Sequence, residues 1–186
     1  IVYGMGESRL VEAIGCSYNE ARKIINGYLA TYPNLKKYML TCEWEAKKYG
    51  VVRTEFGRVR HLKHVQGWYL LYDDRILDYK WASERGLVKE RLEFKNGLNN
   101  AKNFKIQGLA ASIVNRAAIA LTKAFKAASI DGWIINQVHD ELVCMVKEEQ
   151  VDLAKNVMKD CMENTVKISV PLQAEPVDAY TWDEAK

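Results

Sequence analysis

Along the first half of the chain, apolar positions recur at helical spacing with clear punctuation. Ser17 followed by Glu20 forms a capping box, and Ala21, Ile24, Ile25, Tyr28 and Leu29 then repeat on one side, so a helix is predicted up to the break at Pro33. A second helix is predicted from Pro33, with Leu35, Tyr38, Met39, Cys42 and Ala46 on one side and Gly50 at the C-cap position. Val51 to Phe56 and Val59 to Leu62 flank Gly57-Arg58, the pattern of a short hairpin with a basic turn.

The stretch from Lys63 to Gly97 mixes aromatics with charges of both signs and shows no assignable period. From Leu98 to Ser129 a long helix is expected, because Leu109, Ile113, Ala117, Leu121 and Phe125 recur at four-residue intervals. Trp133 to Val138 and Glu141 to Val146 are β-prone runs separated only by His139-Asp140, apolar enough to be read as buried strands. A helix over Glu149 to Asn164 follows, with Val151, Ala154, Val157, Met158 and Met162 as its inner stripe. Val170 to Val177 carries Pro171 and Pro176, which favours an edge strand. The expected class is α+β, with helices packed on a small antiparallel sheet.

At 186 residues the chain is long enough for one domain with an insertion. Apolar residues at 48% and a net charge of only +3 exclude a disordered chain. No apolar run reaches the roughly 18 residues of a membrane span, and the start Ile1-Val2-Tyr3-Gly4 lacks the pattern of a signal peptide. Cys16, Cys42, Cys144 and Cys161 form no CxxC pair, so a reducing cytoplasm is expected. The first residue is not Met and sits in an apolar segment, so a piece of a longer chain is expected.

Three constellations carry candidate chemistry. His139, Asp140 and Glu141 sit between the two β-prone runs, where adjacent carboxylates would offer hard oxygen ligands suited to Mg²⁺. The same three residues also read as ordinary turn formers, with Asp140 bonding its own backbone. Asn99, Asn103 and Gln107 share a helix face, and amides that donate and accept suit minor-groove base edges, as they suit a solvated face. Arg53, Arg58, Arg60, His61, Lys63 and His64 form a basic strip beside Trp68 and Tyr69, able to meet phosphates and stack on bases or simply to be solvated.

Several stretches in this order resemble one family. Val2-Tyr3-Gly4-Met5 with Ser8-Arg9-Leu10, and Glu20-Ala21 through Tyr32-Pro33, are similar to fingers segments of family A (DNA polymerase I-like) DNA polymerases. Gly50-Val51-Val52-Arg53-Thr54-Glu55-Phe56-Gly57-Arg58-Val59-Arg60 is similar to the family's Gly-Tyr-Val-x-Thr-x-x-Gly-Arg-Arg-Arg, and Asn103 with Gln107-Gly108-Leu109-Ala110-Ala111 to its Asn-x-x-x-Gln-Gly-x-Ala-Ala-Asp. Gln137-Val138-His139-Asp140-Glu141-Leu142-Val143 matches palm motif C residue by residue, and Ala179-Tyr180-Thr181-Trp182-Asp183 resembles the closing segment. Only Lys63 to Gly97 lies largely outside the likeness.

The resemblance implies template-directed DNA synthesis by a right-hand polymerase of which this is the C-terminal fingers and palm part. Residues 1–62 would be fingers helices and the basic hairpin, 63–97 an insertion, and 98–186 the palm part. Asp140 would bind catalytic Mg²⁺ with Glu141 nearby, and His139 would touch the primer end. Asn103 and Gln107 would face minor-groove edges, Arg58 would contact DNA, and Tyr3 would sit beside the insertion site for the nucleotide. Primer-template DNA and a dNTP are the implied partners, with the remainder of the polymerase, including the thumb, in the same or a partner chain. No membrane is implied, and the location would be a bacterial or infected-cell cytoplasm.

Three departures bear on activity. The motif A Asp falls upstream of residue 1, as do fingers residues that hold the triphosphate, so the isolated chain is expected to be inactive. Asn99 stands where the family usually has Arg. The segment between Gly57 and Gln107 is longer than in the cellular pattern, which suits a phage or otherwise divergent member. The rival reading is a non-catalytic half of a split or degenerate polymerase that binds primer-template without extending it. A metal-dependent phosphoesterase using Asp140 and Glu141 would lack further ligands.

Overall fold

The computed structural model describes residue 1 and residues 4–185; Tyr3 lies outside the described residues. Helices α1 (Glu7–Ile14), α2 (Tyr18–Thr31) and α3 (Pro33–Tyr49) open the chain. Ser17 caps α2 through the expected box: its Oγ accepts from the Glu20 amide, while the Glu20 carboxylate accepts from the Ser17 amide at 2.9 Å. Pro33 takes the first position of α3, where its missing N–H costs nothing. Gly50 closes α3 at φ 63°, a left-handed conformation that a residue with a Cβ adopts only at a cost.

Strands β1 (Val51–Arg53) and β2 (Val59–His61) pair antiparallel, with Val52 opposite Arg60. They are shorter than the apolar runs suggest, because Thr54 leaves the ladder to close the loop, its amide donating to the Arg58 carbonyl at 2.9 Å. Residues 63–97, unassigned from sequence, are helical: α4 (Lys63–Tyr72), a 3₁₀ turn (Asp73–Leu77), α5 (Tyr79–Glu84) and the start of α6 (Val88–Ala127). The chain then forms β3 (Gly132–Val138), β4 (Glu141–Val146), a 3₁₀ turn (Glu148–Gln150) and α7 (Val151–Asn164). Helices with two small antiparallel sheets make the α+β class expected from the sequence.

The chain divides into two compact units, residues 1–109 and 110–186, and α6 contributes to both. In the first, Cys42 and Ala46 of α3, Val52, Leu62, Val65, Ile76 and the α6 residues Phe94, Leu98 and Ala101 form a buried cluster. Trp68, Tyr69, Tyr72 and Trp81 pack against it, so the aromatics of the unassigned stretch serve as packing material. In the second, Val114, Ala117, Leu121 and Phe125 of α6 meet Ile130, Leu142 of β4 and Ala154 of α7.

Three expectations are corrected. The long helix begins at Val88, ten residues before Leu98, and Val114 joins the buried line where Ile113 was expected. Positions four apart advance by about 400°, so a strict four-residue stripe drifts off one face of a 3.6-residue helix. The apolar strands are not buried: Trp133 and Ile135 are about half exposed, since only one face of the two-stranded ribbon packs on helices. Residues 170–177 form no strand; Pro171 and Pro176 cannot donate to a ladder, and side chains hold this part of the chain to α7. The Ala174 amide donates to Glu163 at 2.9 Å, and Lys155 donates to Asp178.

Candidate active site

In the second unit the hairpin β3–β4 places its carboxylates by register. Val138 lies opposite Glu141 and Gln137 opposite Leu142, leaving His139 and Asp140 as a two-residue turn. Residues directly across an antiparallel pair share a face. Leu142 is buried in the core, so Gln137 lies on the helix side, where its Nε2 makes a long 3.4 Å hydrogen bond to Asn115 Oδ1 of α6. Val138 and Glu141 therefore belong to the opposite face. Below the tip the register shifts between Ile134 and Asn136, a bulge that leaves Ile135 unpaired and turns the end of the strand.

His139 has φ 51°, a left-handed conformation uncommon for a residue with a Cβ. Tight two-residue hairpins require positive φ and normally meet it with Gly or Asn. A histidine there holds backbone strain of about 1–3 kcal/mol, of the kind found where side-chain placement matters.

His139, Asp140 and Glu141 are all exposed, and neither carboxylate is in an ion pair among the described residues. Two adjacent hard-oxygen donors fit Mg²⁺, which takes one or two carboxylates and completes its shell with phosphate oxygens and water. They do not make a self-contained site, and no cluster of three His, Cys, Asp or Glu occurs among the described residues. Burial pushes the thiol of Cys144, on the same hairpin, up to about 11, away from the reactive thiolate form at neutral pH.

In the first unit, two segments with recognisable motifs meet directly. A Cβ at Gly108 of α6 would lie 3.0 Å from Thr54 Cγ2 and 3.3 Å from Phe104 Cε2, so glycine lets the β1–β2 loop sit against the helix. Thr54 is buried, and its Oγ1 accepts from the Arg58 amide at 3.1 Å. The contact thus brings the loop carrying exposed Arg58 against α6 one residue after exposed Gln107. Arg60 adds a second cation, its guanidinium 5.8 Å from the Phe104 ring.

The three amides of α6 differ in environment. Gln107 is exposed, Asn103 half-buried, and Asn99 lies against Gly4, whose added Cβ would come within 2.5 Å of Asn99 Oδ1. Arg53, Arg58, Arg60, His61, Lys63 and His64 are all exposed, as a phosphate-facing strip requires. Trp68 and Tyr69 are not a stacking platform beside it: both pack on the core, Trp68 stacked on Tyr72 at 6.0 Å.

Sequence reasoning missed a pair of ion pairs interleaved with the amides. Lys102 donates to Glu43 at 2.8 Å and Lys105 to Glu45 at 2.9 Å, joining α6 to α3. Tyr38 Oη donates to the Lys102 carbonyl at 3.0 Å in the same seam. The Glu43-x-Glu45 spacing was the only available signal, and it had no partner in sight along the chain.

Comparison with known proteins points to one family. The profile of DNA polymerase family A matches residues 1–184. The chain is 33% identical over 186 residues to DNA polymerase I of Streptococcus pneumoniae, covering all of this chain and 19% of that protein. It is 34% identical over 188 residues to DNA polymerase I of Caldicellulosiruptor bescii, again covering all of this chain and 19% of the relative. Among solved structures, the POL domain of Pol1 from M. smegmatis in complex with DNA primer-template and dNTP superposes with a TM-score of 0.76. That match has 27% identity and covers 92% of this chain and 27% of the other. The chain thus spans about a fifth of the length of these curated relatives.

Proposed function

The chain belongs to DNA polymerase family A, and we propose that it serves template-directed DNA synthesis as the fingers and palm part of such an enzyme. The observation that carries this reading is the exposed carboxylate pair Asp140 and Glu141 at the His139-Asp140 turn, held by strand register in a chain matched to the family over residues 1–184. The reaction is attack of a primer 3′-hydroxyl on the α-phosphate of a dNTP, with pyrophosphate leaving.

Asp140 is the Mg²⁺ ligand from this chain, with Glu141 beside it. When bound, a two-metal site lowers the pKa of the attacking hydroxyl and stabilises charge on the leaving oxygens. The protein's share is placement: the strained turn fixes Asp140, and the helix-facing Gln137 and buried Leu142 anchor the hairpin beneath it. His139 contacts the primer end. Gln107 and Asn103 donate to and accept from minor-groove edges, Arg58 meets backbone phosphate, and Tyr3 lies at the insertion site. The remaining ligands and the thumb come from the rest of the polymerase. The 63–97 segment marks a divergent, phage-like member, working in the cytoplasm of a bacterium or infected cell. No helix among the described residues is long and apolar enough to cross a membrane.

In the complete polymerase, Asp140→Asn removes most of the single-turnover rate and leaves primer-template affinity within a few fold, because binding rests on many phosphate contacts elsewhere. Lost affinity with an unchanged rate would contradict the assignment. The 186 residues alone bind primer-template but do not extend it, since Asp140 lacks its motif A partner. Robust extension by the purified chain would refute that. Should motif A be degenerate in the complete protein, the non-catalytic primer-template-binding role follows.

A further inference from the structure

Off its core face, α3 carries a second stripe that the polymerase reading does not use. Lys36, Lys37, Leu40 and Trp44 line up at helical spacing and, with Asn26 and Leu29 of α2, line an open groove of about 870 Å³. Leu40 is 57% and Trp44 50% exposed, unlike the side chains of a merely solvated face.

The groove is also one-signed. No carboxylate lines it, and the acids of α3, Glu43 and Glu45, are turned to Lys102 and Lys105. Lys36 and Lys37 are exposed and in no ion pair among the described residues. Lys48, one turn beyond Trp44, holds its ammonium 4.7 Å from the indole centroid and 5.2 Å from the Tyr49 ring, adding a third cation at the groove's end. Lys36 and Lys48 are about 18 Å apart along the helix axis.

We propose that the groove between α2 and α3 binds an unpaired nucleic-acid strand, with Lys36, Lys37 and Lys48 meeting phosphates and Trp44 stacking on a base. Duplex DNA offers no free base face to an indole, whereas every unpaired base does. Phosphates also supply the negative charge that the lining lacks. Stacking on Trp44 does not read sequence, because the π-face is common to all bases. The identity of that strand, the unpaired template ahead of the primer end, rests on the polymerase reading above.

The test compares affinity of the complete polymerase for two primer-templates, one with a long unpaired template overhang and one with a single unpaired template nucleotide. Wild type binds the long overhang more tightly. Trp44→Leu weakens the long-overhang complex by roughly fivefold or more, as loss of one stacked base does, and leaves the short one unchanged. Lys36→Gln with Lys37→Gln does the same and lowers the salt slope on the long overhang by about 1.4. All these positions are exposed, so melting temperatures hold. Equal losses on both substrates, or variants that bind like wild type, would overturn the groove assignment alone. Wild-type binding of neither substrate would overturn the polymerase reading with it.

Discussion

Lys102 of α6 is only 8% exposed, and its ammonium lies 2.8 Å from Glu43 Oε1 of α3, a residue 59 positions earlier. The pair stands one residue from Asn103, so it fixes the part of α6 that carries the amides. A buried ammonium is tolerated only while its partner is present. Glu43→Gln should therefore destabilise the chain by about 2–3 kcal/mol. The double replacement Glu43→Leu with Lys102→Met should restore most of that loss, since an apolar pair of similar size suits the site. Thermal denaturation of the three variants checks both; a Glu43→Gln chain as stable as wild type would contradict the pairing.

Gly108→Ala places its Cβ against Thr54, which cannot yield cheaply because it is buried and hydrogen-bonded to the Arg58 amide. Overpacking costs of about 1–3 kcal/mol exceed the roughly 1 kcal/mol that alanine gains as a helix former. A modest fall in melting temperature is expected, together with shifted NMR signals from Thr54 and Arg58. Gly57 and Phe56 resonances moving while Thr54 stays fixed would show that the loop takes up the change elsewhere.

Replacing Gln107 by Ala in the complete polymerase should slow extension by roughly five- to tenfold, the worth of one net polar contact. The loss should be nearly equal on different template sequences, because minor-groove acceptors are shared by A·T and T·A pairs. Rates on templates of contrasting composition decide this, and a strongly sequence-dependent defect would remove Gln107 from the minor groove.

Glu20 supplies the pH dependence. Hydrogen bonds from the Ser17 amide and hydroxyl hold its carboxyl below the ordinary value of 4.5. A depressed carboxyl stabilises the fold above its unfolded value, and the contribution is lost as pH falls through the lower folded value. The α2 N-terminus should accordingly fray only in acid, below the usual carboxylate range. An NMR titration of Glu20 checks this, and Ser17→Ala should raise the carboxyl only part of the way to its ordinary value, because the hydroxyl is lost while the backbone amide at that position still donates; no difference between the two proteins would mean the hydroxyl takes no part in the box.

What the sequence by itself determined was local, or carried by motif order. Ser17 and Glu20 are three residues apart, Pro33 can begin but not continue a helix, and His139-Asp140 leaves a two-residue link between β-prone runs. Each is decided by neighbours within one turn of chain, so periodicity and cap chemistry reach it. The family likeness was equally legible, because its motifs are short and their order survives an unassigned stretch. The tertiary structure alone decided which charges are spent and which are available. Lys102 and Lys105 look like Lys36 and Lys37 in sequence, yet the first two face carboxylates across the α3–α6 seam while the second two line an acid-free groove. Trp68 and Trp44 are both aromatic neighbours of lysines, yet only Trp44 is half exposed with a lysine over its ring. Thr54 and Gly108 meet only because α6 passes the β1–β2 loop closely enough for a Cβ to be too large. Contacts between residues more than fifty apart depend on how helices pack, and packing is set by the whole buried surface and by no single window of the chain.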